Sequence, residues 1–478
     1  MKRRQFLYNT CAAATGLAMA PYASAQSPQK PNILFLFTDD QTFRSIGALN
    51  NPAVKTPNID RLVYNGVTFT HCFNQGSWTG AVCIASRAML NTGRYIYHAR
   101  RDIGNHRNDE GPQVPLWGET LGNAGYDTFM TGKWHNGPLA LEQSFKTVGP
   151  HGGGMFHSTP SGEEAYYRPA PDNDWSPSDK SLQGHWRETE DGEIVHSSRL
   201  WADAAIDYLQ NQTQSDNPFF MYVAFHAPHD PRQAPQEFID MYPLEELEVP
   251  PNYLPEHPFD QGSRYTLRDE ILAPFPRTEH AVKVHLQEYY AIISHADYQI
   301  GRILDALEET GQADNTIIIF SADHGLAVGQ HGLMGKQNQY EHSIRMPLIL
   351  SGPGLEQGKR IDELVYLHSL FATTCDLAGI ETPETVEFPS LMPLINGEKD
   401  QLHDAIYGSY TDQQRMIRTK DFKLIRYPQV DRTQFYNLRQ DPWEVHNLAD
   451  QFEQRKRIEA LNQRLTELQE MVGDPMDL

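Results

Sequence analysis

The chain has 478 residues, 62 of them acidic and 40 basic, for a formal charge of −22. Apolar residues make up 39 % and charged residues 21 %, enough for a sizeable core, and the length predicts one large domain with a smaller one, or two to three domains. This excludes a disordered, collagenous or disulfide-stapled chain, and the acidity argues against non-specific binding to nucleic acid or an anionic membrane surface.

The chain opens Met1-Lys2-Arg3-Arg4-Gln5-Phe6-Leu7, continues through a short apolar run to Ala20, and reaches a small-x-small step at Ala23-Ser24-Ala25. That pattern is a signal peptide of the twin-arginine kind over residues 1–25. It predicts a periplasmic or secreted protein handled by the twin-arginine export machinery. Its removal takes away Lys2, Arg3 and Arg4 and no acid, so −22 becomes −25. No stretch reaches the roughly 18 uninterrupted apolar residues of a membrane span. With Cys11 in the leader, Cys72, Cys83 and Cys375 remain. Three thiols cannot all pair, and whether Cys72 pairs with Cys375 is open.

Four apolar runs follow, each ending in polar residues. Asn32–Phe37 ends at Asp39-Asp40, and Tyr126–Met130 at Gly132-Lys133-Trp134-His135. Phe219–Phe225 ends at His226-Ala227-Pro228-His229, and Ile317–Phe320 at Asp323-His324-Gly325. Such runs read as strands buried on both faces. Helical patterns separate them, the clearest carrying Leu286, Tyr290, Ile293, Ile300, Leu304 and Leu307 and stopping at Gly311. The fold class is α/β, a large, mostly parallel sheet sandwiched by helices. Ligands of open α/β sheets bind beyond the carboxyl ends of the strands, so these polar residues are expected to converge. His295 and Asp297, inside the long helical pattern, read as packing or ion-pair residues.

Residues 136–195 and 227–285 lack periodic pattern, the first being rich in Gly, Pro, Ser and aromatics and the second in proline. Tyr166, Tyr167, Trp175 and Trp186 there are either sugar-stacking rings or ordinary loop packing. From about residue 400, short alternating segments (405–410, 416–418, 423–427 and 434–438) and a polar helical pattern at 451–471 predict a smaller antiparallel sheet with a closing helix. The predicted division is residues 26–395 for the catalytic α/β domain and 396–478 for a C-terminal α+β subdomain.

The sharpest motif is Cys83-Ile84-Ala85-Ser86-Arg87-Ala88-Met89-Leu90-Asn91-Thr92-Gly93-Arg94. It resembles the maturation signature of the type I sulfatases, in the alkaline phosphatase superfamily, and the resemblance extends over roughly residues 30–450. It implies that a formylglycine-generating maturation enzyme oxidises Cys83 to formylglycine, whose hydrate is the nucleophile. A second hydroxyl on the same carbon lets a covalent sulfo-enzyme collapse, where a serine ester would persist. Asp39, Asp40, Asp323 and His324, with an oxygen of modified Cys83, resemble the family's metal shell. An oxygen-rich donor set suits Ca²⁺ first and Mg²⁺ second. Lys133 and His135 resemble the Lys-x-His element, His229 the Pro-His-x-Pro element, in preference to His226, and Lys336 the lysine before a late strand. The resemblance implies that Arg87 holds modified Cys83 and a metal-ligand carboxylate, Lys133 binds sulfate, His135 removes a proton in the release step, and His229 and Lys336 serve the leaving group. Tyr436-Asn437-Leu438 and Asp441–Leu448 resemble a segment common near the family's C-terminus, with a structural role. Ala85 stands where many members have proline, and His368-Ser369-Leu370 where an Asp-led motif is common.

The implied activity is S–O cleavage of a sulfate ester. Export and the aromatic, glycine-rich insert favour a sulfated carbohydrate. A phosphonate or phosphate ester hydrolase of the same superfamily is the alternative enzyme, and an unmatured binder of sulfated glycans the non-catalytic one.

Overall fold

The computed structural model describes residues 30–476 except 50, 104–110, 158–161, 172, 174, 213 and 263–266. The leader expected at residues 1–25 therefore lies outside the described residues. No helix among the described residues is long and apolar enough to cross a membrane.

Strand β1 (Asn32–Thr38) is buried along its whole length. Ile33, Phe35 and Phe37 enter a core with Leu90, Trp117 and Phe371, while Leu34 and Leu36 enter a second core with Ala205, Ile293 and Ile300. Side chains alternate across a strand, so a strand apolar at every position needs a helical layer on each face. The other strands, in chain order, are β2 (Gly66–Phe73), β3 (Gly76–Ser77), β4 (Asp127–Lys133), β5 (Thr147–Gly152), β6 (Trp186–Glu188), β7 (Ile194–His196) and β8 (Phe219–Ala224). They continue with β9 (Thr316–Ala322), β10 (Arg345–Ser351), β11 (Lys359–Tyr366), β12 (Ala405–Tyr410), β13 (Gln414–Thr419), β14 (Phe422–Tyr427) and β15 (Arg432–Asn437).

The large sheet has eight strands in the order β11-β2-β10-β9-β1-β8-β4-β5. Only β10 opposes the others. The four strands expected from the sequence are the contiguous block β9-β1-β8-β4, so their carboxyl ends lie side by side. The other four escape a simple pattern for local reasons. In β10 the register against β2 shifts between Met346 and Leu348, where Pro347 has no N–H to donate. Strand β5, within the segment that lacked pattern, is a largely exposed edge carrying Gly149 and Pro150.

The long helix spans Glu279–Glu309, two turns earlier than the apolar spacing marks, because the Thr278 side chain caps it at Ala281 N. Its Asp297 accepts the backbone N–H groups of Asn58 and Ile59 at 3.1 and 2.7 Å, capping the neighbouring helix Pro57–Asn65 instead of joining an ion pair. His295 packs edge-on against His196.

The smaller sheet has the order β15-β14-β13-β12-β3. Four strands are the expected antiparallel set. The fifth, β3, comes from the segment just before Cys83 and runs parallel to β12. The closing helix, Arg455–Val472, buries Leu461, Leu465, Leu468 and Val472 in the same core as β1. Cys72, Cys83 and Cys375 are buried and free. Trp175 donates Nε1–H to Glu288 at 2.9 Å and Trp186 is buried, so these two rings pack the insert, whereas Tyr167 is 57 % exposed.

Candidate active site

Asp39 and Asp40 leave the end of β1 between β9 and β8. The Asp39 N–H donates to Ala227 O at 3.0 Å. Asp40 is left-handed at φ 67°, and donates its own N–H to Asp323 Oδ1 at 3.2 Å. Tyr289, from the long helix, donates its hydroxyl to Asp40 O at 2.6 Å. Asp323 and His324 follow β9. Asp323 N–H donates to Thr38 O at 3.2 Å, and Asp323 O accepts Ser86 Oγ at 2.6 Å and Asn74 Nδ2 at 3.1 Å. All four residues are fully buried.

Cys83 lies in the first turn of helix Val82–Thr92, and Arg87 one turn on projects from the same face. Arg87 donates Nε–H to Asp323 Oδ2 at 3.1 Å and a guanidinium N–H to Lys133 O at 3.0 Å. Its other terminal nitrogen is 3.6 Å from Asp39, and it stacks on Phe37. Lys133 ends β4, pairs with Asp39, and reaches within 3.6 Å of Cys83 Sγ. His135 Nδ1 lies 3.4 Å from the same sulfur. Lys336 donates to both Asp40 oxygens at 2.8 and 2.9 Å. His229 Nε2 is 3.9 Å from Asp40 Oδ2, and its Nδ1 is 2.7 Å from Asp230 O. His226 instead stacks on Phe156 with ring centroids 4.1 Å apart, and neither of its nitrogens has a hydrogen-bond partner. The ten site residues expected from the sequence thus meet beyond the carboxyl ends of the central strands.

Three buried carboxylates (Asp39, Asp40, Asp323) face three buried cations (Arg87, Lys133, Lys336). Burial alone would raise the Asp39 carboxyl, but Lys133, His229 and Arg87 hold it well below the usual range. Burial, then repulsion from Asp39, Asp323 and Asp269, drives Asp40 upward against the pull of Lys336. Burial would also raise the Cys83 thiol, yet Lys133 and a hydrogen bond to His324 bring it below the ordinary value. Burial, with repulsion from Lys133 and Arg87, pushes His135 down to about 3, so it is neutral and able to accept a proton. His229 is likewise held well below its usual range, by burial and then Lys336. Its Nδ1 bears the proton shared with Asp230 O, leaving Nε2 to face the site.

A cation fits this arrangement. Ligand atoms of Asp39, Cys83, Asp323 and His324 lie within 4.8 Å of one another, as do those of Asp39, Asp40 and His229. Among the described residues Asp39 Oδ1 has no hydrogen-bond partner, Asp39 Oδ2 has only its ion pairs with Lys133 and Arg87, and His324 Nε2 has no oxygen or nitrogen hydrogen-bond partner. Buried polar atoms left so are costly unless something else satisfies them, and a dication would relieve the crowding that raises Asp40. Asp40 belongs to the second of these groups, with its Oδ1 3.2 Å from His324 Nδ1, and to share one cation with Asp39, Asp323 and His324 it would have to give up part of its pairing with Lys336.

Several supporting residues carry no sequence motif. Glu270 accepts the N–H groups of Met334 and Gly335 at 3.0 and 2.9 Å, fixing the loop that delivers Lys336. Asp269 accepts Gln337 Nε2 at 3.0 Å and pairs with Arg268, which also pairs with Asp230 beside His229. Their only signal was a charged triplet, Arg268-Asp269-Glu270, in a proline-rich segment.

Comparison with known proteins adds context to this geometry. Residues 31–380 match the family described as Sulfatase, and residues 329–471 match the family described as N-sulphoglucosamine sulphohydrolase, C-terminal. A sulfatase of Formosa agariphila is 30 % identical over 459 residues, covering 90 % of this chain and 85 % of that protein. An arylsulfatase of Clostridium perfringens is 29 % identical, covering 91 % and 94 %. Among solved structures, a protein in complex with its substrate D-glucosamine-2-N,6-O-disulfate superposes with a TM-score of 0.72 at 24 % identity, over 94 % of this chain and 99 % of that one.

Proposed function

The chain belongs to the sulfatase family and is a sulfuric ester hydrolase, and on that premise we propose that it is an exported enzyme desulfating carbohydrate by S–O cleavage at a formylglycine formed from Cys83. The observation that carries this reading is the surroundings of the Cys83 sulfur, which has Lys133 at 3.6 Å, His135 at 3.4 Å and the Asp39, Asp323 and His324 ligand atoms beside it. Formylglycine would supply a hydrated aldehyde, one hydroxyl to attack sulfur and a second whose deprotonation expels sulfate. The metal would be Ca²⁺, with Mg²⁺ second, held by Asp39, Asp40, Asp323, His324 and the oxygen of modified Cys83, and would supply Lewis-acid polarisation of a sulfate oxygen.

The chain's own residues have separate tasks. Arg87 ties Asp323 and Asp39 to the Cys83 helix and, after Lys133 and His229, helps to hold Asp39 ionised. Lys133 binds a sulfate oxygen next to position 83. Neutral His135 takes the proton that releases the product. Lys336, held cationic by Asp40, stabilises charge on the leaving oxygen, and His229 directs Nε2 at it and serves as acid when charged. The residue 1–25 pattern supports export through the twin-arginine machinery. Residues 26–395 carry the chemistry and 396–478 buttress it. The carbohydrate reading draws on the glucosamine disulfate bound by the solved relative and on the sulphoglucosamine family matched at residues 329–471.

The test is mass analysis of the Cys83 peptide from native-host protein, with a parallel assay on an aryl sulfate, an aryl phosphate, an aryl phosphonate ester and defined sulfated oligosaccharides. The expected result is an aldehyde at position 83 and turnover of the sulfated compounds. An intact thiol in active enzyme overturns the nucleophile. Faster turnover of the phosphonate ester moves the protein to the other hydrolase class, and retention of sulfated sugars without turnover makes it a binder.

A further inference from the structure

A second charged cleft, of about 680 Å³, opens where the large sheet meets the smaller one. It shares two segments with the active site. Phe43, in its wall, follows Asp40 by three residues, and its N–H donates to Arg345 O at 3.2 Å. Glu341 and Arg345, also in the wall, follow Lys336 along one stretch of chain. From the other sheet come Arg418, Lys420 and Asp421 at the β13–β14 turn, and Arg439 after β15.

The charge in this cleft runs against that of the whole molecule. Five cationic side chains line it (Arg345, Arg360, Arg418, Lys420, Arg439), against three carboxylates (Glu341, Asp362, Asp421), and of the five Lys420 is paired with Glu363 at 2.6 Å. Glu341 is already shared among Arg345, Arg418 and the buried Lys423, at 3.4, 3.3 and 2.9 Å, and Asp362 accepts the Thr70 hydroxyl at 2.6 Å. At the mouth, among the described residues, Arg360 is exposed and engages only the Ala48 carbonyl, and Arg439 is exposed with no side-chain partner. The local field is felt by the groups inside. Burial, with repulsion from Arg345, Arg418 and Lys420, pushes His71 down to about 3. Burial, with repulsion from Arg418 and Arg44, pushes Arg345 down to about 10 against the opposing pull of Glu341.

We propose that this cleft is an ancillary binding site for a sulfated polysaccharide, holding sulfate groups of the chain on Arg360 and Arg439 while another sulfate of the same polymer occupies the active site. A polyanion meets repulsion over most of a surface whose net charge is −22, so a local excess of cations decides where it docks. Exposed arginines that no carboxylate neutralises suit sulfate oxygens as they suit phosphate. The cleft rests on the carbohydrate reading above only for the identity of its ligand.

The experiment uses the full-length enzyme, wild type and the double variant Arg360→Ala with Arg439→Ala. Neither residue touches the active site and both are exposed, so folding is expected to survive and is checked by melting temperature. Retention on immobilised dextran sulfate and on unsulfated dextran is measured across a salt series, alongside turnover of a small aryl sulfate. The expected result is at least about fivefold weaker binding of dextran sulfate by the double variant, with a shallower salt dependence, no binding of unsulfated dextran by either protein, and unchanged aryl sulfate turnover. Equal dextran sulfate binding by the two proteins overturns the cleft while leaving a working sulfatase intact. Lost binding in a protein that desulfates no sugar keeps the cleft and overturns the carbohydrate reading. Equal retention on unsulfated dextran overturns the sulfate chemistry assigned to the cleft.

Discussion

Substituting Gly132, the residue before Lys133, separates a local conformational cost from a displaced active site. Gly132 has φ +95°, and a Cβ built on it lies 1.8 Å from the Ala224 carbonyl oxygen of the paired strand β8. Gly125, in the turn that leads into the same strand, has φ +96° and nothing within 4 Å of its Cβ. Alanine at either position adopts the left-handed region at a cost of about 1–2 kcal/mol. Only at 132 must backbone also move. Restoring a contact of about 3.2 Å from 1.8 Å parts β4 from β8 by about 1.4 Å, immediately before the lysine that pairs with Asp39. A shift of about 1 Å at a catalytic group costs on the order of 100-fold in rate, or about 2.7 kcal/mol. The assay is kcat/KM on an aryl sulfate, with melting temperature measured alongside. Gly125→Ala should lower the melting temperature slightly and leave kcat/KM within about twofold, whereas Gly132→Ala should lose about 100-fold. If Gly132→Ala stays within about threefold of wild type, the strand end does not position Lys133 as described.

Arg87→Met should destabilise the metal-free protein by about 3–5 kcal/mol, since it strips two buried carboxylates of their shared partner. Urea unfolding in chelator and in saturating Ca²⁺ checks this. A loss below about 1 kcal/mol, or one that Ca²⁺ does not reduce, refutes the shared-partner account. Asp297 offers a pH test away from the site. Burial, against its hydrogen bonds from Ile59 and Asn58, raises its carboxyl to about 6, above an unfolded value of about 3.9. The folded state therefore holds a proton that the unfolded chain has lost, and this contribution, about 3 kcal/mol, is present below pH 4 and disappears as pH rises through 6. Asp297→Asn should accordingly gain on wild type in melting temperature between pH 4.5 and 7.5, and a constant gap over that range is the refuting outcome.

The site was legible in the sequence because it is built from the ends of central strands. A strand buried on both faces is apolar throughout, so the polar residues that end it stand out, as Asp39 does after Phe37 and Asp323 after Phe320. The edges of the sheet were not legible in the same way. Strand β5 has one exposed side and a proline, and β10 carries Pro347 at a register shift, so neither shows a clean period. Residues that support the site from the side, such as Glu270 beneath the Lys336 loop, are chosen by three-dimensional proximity across more than 60 positions of chain and leave no local pattern. The loan of β3 to the C-terminal sheet is a contact of the same kind, with Gly76 opposite Ser409.

That loan also has a temporal side. Cys83 is 3 % exposed in the finished fold, and the strand just ahead of it cannot find its partner until the ribosome has made residues some 330 positions downstream. At about 5–20 residues per second this leaves roughly 20–70 s during which β3 is synthesised but still without its partner strand. If Cys83 is to be oxidised by another protein, the time before the strand ahead of it is paired belongs to its opportunity.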